Sequence, residues 1–548
     1  MKRHWKWIVG TAVCLLAAFG AYLLAMGMMD SIYAYRSPLH DRPPQAGTAL
    51  GEPLSKRVVF VLIDALRLDT AYDAQVMPYL NELRQQGAWA EMHSRQPSYS
   101  ATGYSVIFTG AWPELSDGPV FNLETPDIPV WTQDNLFSAA QRAGLQTAVS
   151  GYEWFEKLIP SKAVTAGFFT PGEDRIADRE VVDAALPWLS SGEYELVLIH
   201  IDQVDYAGHH EGGAADPNWD AAAKRSDDLL REIAAHLDLS RDTLFICSDH
   251  GQVDAGGHGG GEAVVLSEPF VLVGAGVRPG EYGPVEMVDI GPTLAVILGL
   301  NMPASTQGQA RTEMLALTPE GLAAVETAQV QQQAELAVSY VVAIGSNFPI
   351  IDDEGNIVFE PLQKMEDARQ EQVNAQRLPR LLFAGVLALI PLGIFGWRWK
   401  KGYGWLLVGT AAYHLVFNLW YALVNGKGYS FSYVIGPMEL VLDGLVTALL
   451  AFGIGWLAAA LGARLFQQGR RKAAEFTFTL ALVVLYTLCL PILWSFAWDG
   501  LLVGRFLPDF TFSYVALLSM VQGLAVGAWA VLFAGLAAGA AALRGKRR

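Results

Sequence analysis

Ser248, Asp249 and His250 follow on the apolar run Thr243–Cys247, and His258 comes eight residues after His250 in the stretch Gly256-Gly257-His258-Gly259-Gly260. Carboxylates and neutral imidazoles are the ligands that borderline divalent ions such as zinc accept. A buried strand would hold Asp249 and His250 in place. The glycines would let backbone and substrate approach closely. The chemistry indicated is half of a metal centre, and other elements must supply the rest.

Those elements are legible as continuous apolar runs. Arg57–Ile63 is rich in Val and Leu, and similar runs recur at 146–150, 196–201, 244–247 and 270–273. Continuous apolarity predicts strands buried on both faces, as in parallel sheets. Helical patterns fall between them at 77–86, 134–143, 179–189 and 220–237. Alternating strands and helices predict an α/β domain, with ligands held beyond the carboxyl ends of the strands. Asp64 follows the first run. The run 196–201 leads into Asp202, Asp205, Tyr206, Gly208, His209 and His210. Asp64, Asp205, His209, Asp249, His250 and His258 thus converge on one sheet edge. They make two sets of three ligands, enough for two ions that keep open positions, as catalytic sites do. Taken singly, Asp64 reads equally well as a helix N-cap, and His209 as a solvated side chain. Together with Asp249, His250 and His258 they read as a site.

Two adjacent ions suit in-line displacement at phosphorus, one activating the attacker and the other stabilising the leaving oxygen. The attacker is sought in Gln96–Gly110, where hydroxyls stand at Ser98, Ser100 and Thr102. A serine at a helix N-terminus sits near free backbone N–H groups that favour a phosphoryl anion. Position alone leaves all three hydroxyls open, including a plain capping role.

These segments resemble the alkaline phosphatase superfamily, in particular its type I phosphodiesterase/nucleotide pyrophosphatase branch and the GPI ethanolamine phosphate transferases. Pro97 through Ser100 and Phe108-Thr109-Gly110 are similar to the family's Pro-Thr-x-Thr and Thr-Gly stretch. Asp205 through His209 is similar to Asp-x-x-Gly-His, with His200 at the matching place upstream. Asp249-His250-Gly251 and Gly257 through Gly260 resemble the transferases' Asp-His-Gly and His-Gly-Gly. Asp134-Asn135-Leu136 and Val288 through Leu294 agree as well. The resemblance covers about residues 56–310. It implies an alkaline-phosphatase-like, mostly parallel sheet flanked by helices, with Ser100 as nucleophile. Asp64, Ser100, Asp249 and His250 would hold one divalent ion, and Asp205, His209 and His258 the other. Zinc is the expected metal, with manganese as the alternative. Asn122 matches a residue that contacts a phosphate oxygen. Two departures fall on the substrate side: Gln252 stands where the transferases have Met, and Thr102-Gly103 where Pro-Asn is expected. A sulfatase is a disfavoured sister reading, because Ser100 through Tyr104 lacks the Pro and Arg that formylglycine formation requires.

Hydropathy divides the rest. The chain has 548 residues and a mean hydropathy of +0.26. Apolar runs at 7–28, 381–397, 404–424, 433–461, 475–497 and 512–541 predict six spans. The first is read as an uncleaved anchor. The domains expected are an anchor at 1–29, a linker at 30–56, a catalytic domain at 57–310, an accessory region at 311–380 and a five-helix membrane domain at 381–548. Lys2, Arg3 and Lys6, then Arg398, Lys400 and Lys401, then Arg464, Arg470, Arg471 and Lys472, then Arg544, Lys546, Arg547 and Arg548 all fall on one side of such a topology. The positive-inside rule makes that side cytoplasmic. Both termini are then cytoplasmic, and the catalytic domain is extracytoplasmic in the plasma membrane or its equivalent. The net charge of −17 argues against a nucleic-acid partner. Three cysteines, Cys14, Cys247 and Cys489, provide no disulfide framework. Within the spans His414, Glu439 and Asp443 are ionisable, and Asp443 is the candidate for contact with a headgroup amine or a helix partner.

The expected function is transfer of a phosphoethanolamine-type group from a phospholipid to a glycan or lipid acceptor through a covalent intermediate on Ser100. Hydrolysis of a lipid or nucleotide phosphoester is the alternative. A non-catalytic membrane scaffold is the reading from a different class.

Overall fold

The computed structural model describes residues 5–350, 360–397, 403–434, 436–467 and 470–545. The stretch Asp352-Asp353-Glu354-Gly355, which reads as a turn by sequence, and the charges Lys2, Arg3, Arg398, Lys400, Lys401, Lys546, Arg547 and Arg548 lie outside them. The chain forms two compact units, Tyr33–Gln372 and Met1–Ile32 with Val373–Arg548.

The first unit is built on a mixed, mostly parallel sheet. Its strands are β1 (Arg57–Ile63), β2 (Ala88–His93), β3 (Thr147–Tyr152), β4 (Ala166–Thr170), β5 (Leu196–Ile201), β6 (Asp242–Cys247), β7 (Ser267–Gly274), β8 (Gly280–Glu281) and β9 (Val285–Glu286). Their order is β4-β3-β5-β1-β6-β7-β2-β8, with β9 also on β2. The pairs from β4 to β6 are all parallel, and β7 runs antiparallel to both β6 and β2. The five expected strands are present as β1, β3, β5, β6 and β7. Strands β2, β4, β8 and β9 are additional. Strand β2 alternates buried with less buried residues, and β4 lies at the sheet edge with Gly167 inside it.

Continuous apolarity in β1 has a direct cause. Val58, Phe60 and Leu62 pack into one core and Val59, Val61 and Ile63 into another on the opposite face. Helices α1 (Ser100–Thr109), α2 (Leu136–Arg142), α3 (Arg175–Ser191), α4 (Gln203–His210), α5 (Pro217–Ala234) and α6 (Ile290–Ile297) flank the sheet. Helices α1, α2 and α6 contribute Phe108, Phe137 and Leu294 to the first core. Helices α3 and α5 contribute Val182 and Trp219 to the second. Asn135, not Asp134, caps α2, accepting from the Ser138 N–H at 3.0 Å. That bond moves the helix start inward from the expected 134.

In the second unit, among the described residues, six helices are long and apolar enough to cross a membrane. They lie at Ile8–Tyr33, Pro361–Trp397, Gly404–Val424, Met438–Gly462, Arg471–Trp498 and Phe510–Leu543. Residues 362–376, whose sequence also reads as helical, and the span expected from 381 form one helix, Pro361–Trp397. Trp420–Val424 closes the third with a π-turn.

Candidate active site

The site is assembled where parallel strands end. Asp64 follows β1, Asp249 and His250 follow β6, and α4, which begins after β5, carries Asp205 and His209. Four residues apart on one helix, those two side chains share a face. Gly208 lets this helix approach the His250 loop, because a Cβ there would run into the amide of Gln252. Asp178 on α3 anchors the same corner, its two carboxylate oxygens accepting from the Asp202 and Gln203 N–H groups at 2.8 and 3.1 Å. Burial pushes the Asp178 carboxyl up to about 7, against the pull of those bonds.

Imidazole tautomers follow from the hydrogen bonds. His258 Nδ1 lies 3.0 Å from the Ser98 carbonyl and His250 Nδ1 lies 3.1 Å from the Gly251 carbonyl. A carbonyl only accepts, so both Nδ1 atoms carry hydrogen, and in the neutral ring Nε2 is then the lone pair that can bind a metal. His258 Nε2 is 3.0 Å from His209 Nε2 and 3.7 Å from Asp205 Oδ1, and His209 Nε2 is 3.5 Å from the same oxygen. His250 Nε2 is 3.5 Å from Asp64 Oδ1, 3.4 Å from Asp249 Oδ2 and 3.1 Å from Ser100 Oγ. Donors sharing a tetrahedral zinc at ordinary bond lengths stand about 3.3 Å apart. Asp64 Oδ1 and Asp249 Oδ2 are buried and have no hydrogen-bond partner. Such orphaned carboxylate oxygens are costly unless a cation occupies the space between them. Both donor sets therefore fit divalent ions in composition and spacing.

Electrostatics agree. Burial, then the charges of Asp64 and Asp205, holds the Asp249 carboxyl well above its usual range. Burial also raises Asp205, helped by Asp64 and opposed by His209 and His250. For Asp64 burial is outweighed by the His200 hydrogen bond and the nearby imidazoles, which lower it. Buried carboxylates that repel one another are the environment a dication relieves.

The three open hydroxyls separate. Ser98 Oγ donates to the Gly260 carbonyl at 2.9 Å and accepts from the Gly259 N–H at 3.0 Å, so it fastens the glycine loop. Thr102 Oγ1 is engaged by the carbonyls of Pro119 and Val120 at 2.8 and 3.0 Å. Ser100, the first residue of α1, is the one beside His250. Asn122 Oδ1 accepts from the Ala101 N–H at 3.2 Å, which sets that side chain at the same helix end. Gly103 permits the packing, since a Cβ there would lie 2.8 Å from Asp249 Cβ and 3.0 Å from Asp249 O.

Tyr104, which sequence reasoning missed, lies behind Asp64 together with His200. Tyr104 OH donates to Asp64 Oδ2 and lies 2.9 Å from His200 Nε2, which is 3.1 Å from the same carboxylate oxygen. Asp64, His200 and Asp202 form a third cluster of potential ligands. Tyr104 was hidden because an aromatic at helical spacing reads as core. In the second unit Asp443 Oδ2 is 2.9 Å and Glu439 Oε1 2.8 Å from Lys427 Nζ, so Asp443 has a cation within its own chain.

Comparison with known proteins shows what this chain is similar to. Residues 58–270 match the type I phosphodiesterase/nucleotide pyrophosphatase family model. The phosphodiesterase match spans β1 to β7 and includes all seven expected metal-site residues. It bears out the resemblance drawn from the motifs. The human GPI ethanolamine phosphate transferase 2 catalytic subunit is 28% identical over 290 residues, 48% of this chain and 29% of that protein. GPI ethanolamine phosphate transferase 2 of Aspergillus fumigatus is 25% identical over 408 residues, 67% of this chain and 52% of its own. The chain thus spans between about a quarter and about half of the length of such curated relatives. Human ectonucleotide pyrophosphatase/phosphodiesterase 5 is 15% identical with a TM-score of 0.41, covering 48% of this chain and 100% of that one.

Proposed function

We propose that this protein is a membrane-bound transferase moving a phosphoethanolamine-type group from a phospholipid to a glycan or lipid acceptor. The observation that carries the reading is Ser100, whose hydroxyl stands at a helix N-terminus 3.1 Å from Nε2 of His250 and beside two donor sets. The names of the curated relatives support the identity of the group transferred.

Asp64, Ser100, Asp249 and His250 would hold one divalent ion, and Asp205, His209 and His258 the other, zinc or manganese. Such ions supply charge that favours the ionised Ser100 hydroxyl and offsets the negative charge on the departing oxygen. The chain's own groups do the rest. Ser100 Oγ, having lost its proton, bonds to phosphorus as the bond from phosphorus to the lipid alcohol oxygen breaks. That oxygen takes up a proton and leaves. Backbone N–H groups in the first turn of α1 favour the phosphoryl anion, and Asn122, its Oδ1 engaged, has its amide hydrogens free for a phosphoryl oxygen. An acceptor hydroxyl then attacks phosphorus, and Ser100 departs and regains its proton.

The phosphodiesterase match supports a second reading in which water is the acceptor. Metal-loaded full-length protein in detergent, incubated with headgroup-labelled phosphatidylethanolamine with and without a glycan, tests both. Label on the glycan supports transfer, and free phosphoethanolamine alone supports hydrolysis. Fewer than about one ion per chain and no turnover would favour the scaffold reading and sink both.

A further inference from the structure

The sheet edge that carries the metal-site residues extends past them. In the order β4-β3-β5, strand β3 lies next to the strand that leads into Asp205. Tyr152 is the last residue of β3 and pairs with Thr170, the last of β4. Glu173 follows three residues later, so it reaches the same edge. Burial first, and then the nearby Glu173 carboxyl, raises the Tyr152 hydroxyl, so the two side chains lie near one another. The Trp154 ring stands edge-on to Tyr152, centroids 5.0 Å apart at 73°. All three side chains are partly exposed.

Glu173 belongs to neither donor set. Its carboxyl is nevertheless close enough to them to be raised by burial first and then by the charges of Asp205 and Asp64. The opposing influences are the nearby Tyr152 hydroxyl and His210. A carboxylate at the rim of a phosphodiester site repels a plain phosphodiester. It attracts one that carries a cation a short distance from phosphorus. Aromatic rings beside a carboxylate are the surroundings in which an alkylammonium is well bound, through opposite charge and the negative ring faces.

We propose that Glu173, Tyr152 and Trp154 form the subsite for the ammonium end of the donated headgroup. The identity of that cation rests on the reading of the protein as a phosphoethanolamine transferase. The subsite selects a zwitterionic headgroup over an anionic one at the strand next to Asp205.

The test uses zinc-loaded full-length protein in detergent and two chromogenic diesters, p-nitrophenyl phosphoethanolamine and its N-acetylated counterpart. Binding of phosphoethanolamine and N-acetylphosphoethanolamine is measured in parallel by calorimetry. Wild type should prefer the free amine by about tenfold or more in kcat/KM and in Kd. Glu173→Gln should bring both ratios close to one, and Trp154→Leu should lower them partway. A variant that is merely damaged lowers both members of each pair and keeps the ratio, which would overturn the assignment. So would a wild type that does not discriminate. Turnover of both diesters without amine preference would remove the subsite and leave the catalytic reading standing. Amine preference in binding without turnover would do the reverse.

Discussion

Removal of single side chains separates attack from ligand binding. Ser100→Ala takes away the attacking oxygen and leaves six protein ligands, so transfer and hydrolysis should fall by about 1,000-fold or more. Metal content by mass spectrometry should fall much less. Ser98→Ala should behave in the opposite sense. It removes the hydroxyl that fastens Gly259 and Gly260, and with them the loop bearing His258. Metal affinity should drop before the intrinsic rate does. If Ser98→Ala abolishes turnover at full metal occupancy while Ser100→Ala does not, the nucleophile has been misassigned. Gln252 offers a second test. Its Nε2 donates to Asp205 Oδ1, and it is fully buried. Partners behind a ligand orient it, and their loss typically weakens metal binding by 10–100-fold. Gln252→Met, which installs the side chain found in the similar transferases, should weaken one of the two sites by about tenfold in a zinc titration. An unchanged titration would make Gln252 a packing residue only.

Elements set how precisely such groups are held, and here the buried acid Glu268 gives a measurable handle. It lies in β7 opposite Met92, with Ser94 Oγ donating to one oxygen and the other oxygen unpartnered. Burial holds its carboxyl well above the usual range. The folded protein therefore keeps this proton at pH values where the unfolded chain, with a pKa of about 4.3, has lost it. The unfolded state binds fewer protons, so stability falls as pH rises from about 4.3 through the folded value. Glu268→Gln keeps the acceptor for Ser94 and has no proton to lose. Its first thermal transition should rise relative to wild type at neutral pH and the difference should vanish near pH 4. A constant difference across that range would show that Glu268 is ionised in the fold. The same scale shows what was legible beforehand. Strands β1, β5 and β6 were readable because both faces are buried and their residues, apart from Arg57, His200, Asp242 and Thr243, are apolar. Strand β2 was not, because Trp89, Glu91 and His93 on its less buried face dilute the pattern. The places of Asp64, Asp249 and His250 just after strands, of Asp205 and His209 on the helix after β5, and of His258 in its glycine loop were readable from motif spacing. Tyr104, Tyr152 and Glu173 were not, since only the pairing of β3 with β4 and β5 and the turn of α1 bring them to the same edge.

At the scale of the whole molecule the question is which side of the membrane carries the catalytic unit. Six described helices are long and apolar enough to span, and the chain between the first and second holds every residue of the site. Loss of the first span would reverse the side on which Tyr33–Gln372 lies, and an error among the later ones would instead move the loops after them. Charge provides an independent count. The basic residues near 2–6, 398–401, 464–472 and 544–548 alternate with segments near 425–436 and 499–509, where Lys427 is held by Glu439 and Asp443 and Asp499 lies 3.6 Å from Arg377. Lys and Arg are retained on the cytoplasmic side in short loops, and a single reversed span would scatter these clusters to both sides. Reporter fusions after residue 428 and after residue 467 decide it. The first should give an external signal and the second a cytoplasmic one. Opposite signals at both positions would put Ser100 and its ligands on the cytoplasmic face. Like signals would remove the span between them. Opposite signals would rule out an outer-leaflet phospholipid as donor while leaving the chemistry at Ser100 untouched, whereas external signals at both would keep Ser100 outside and remove only the span between 428 and 467.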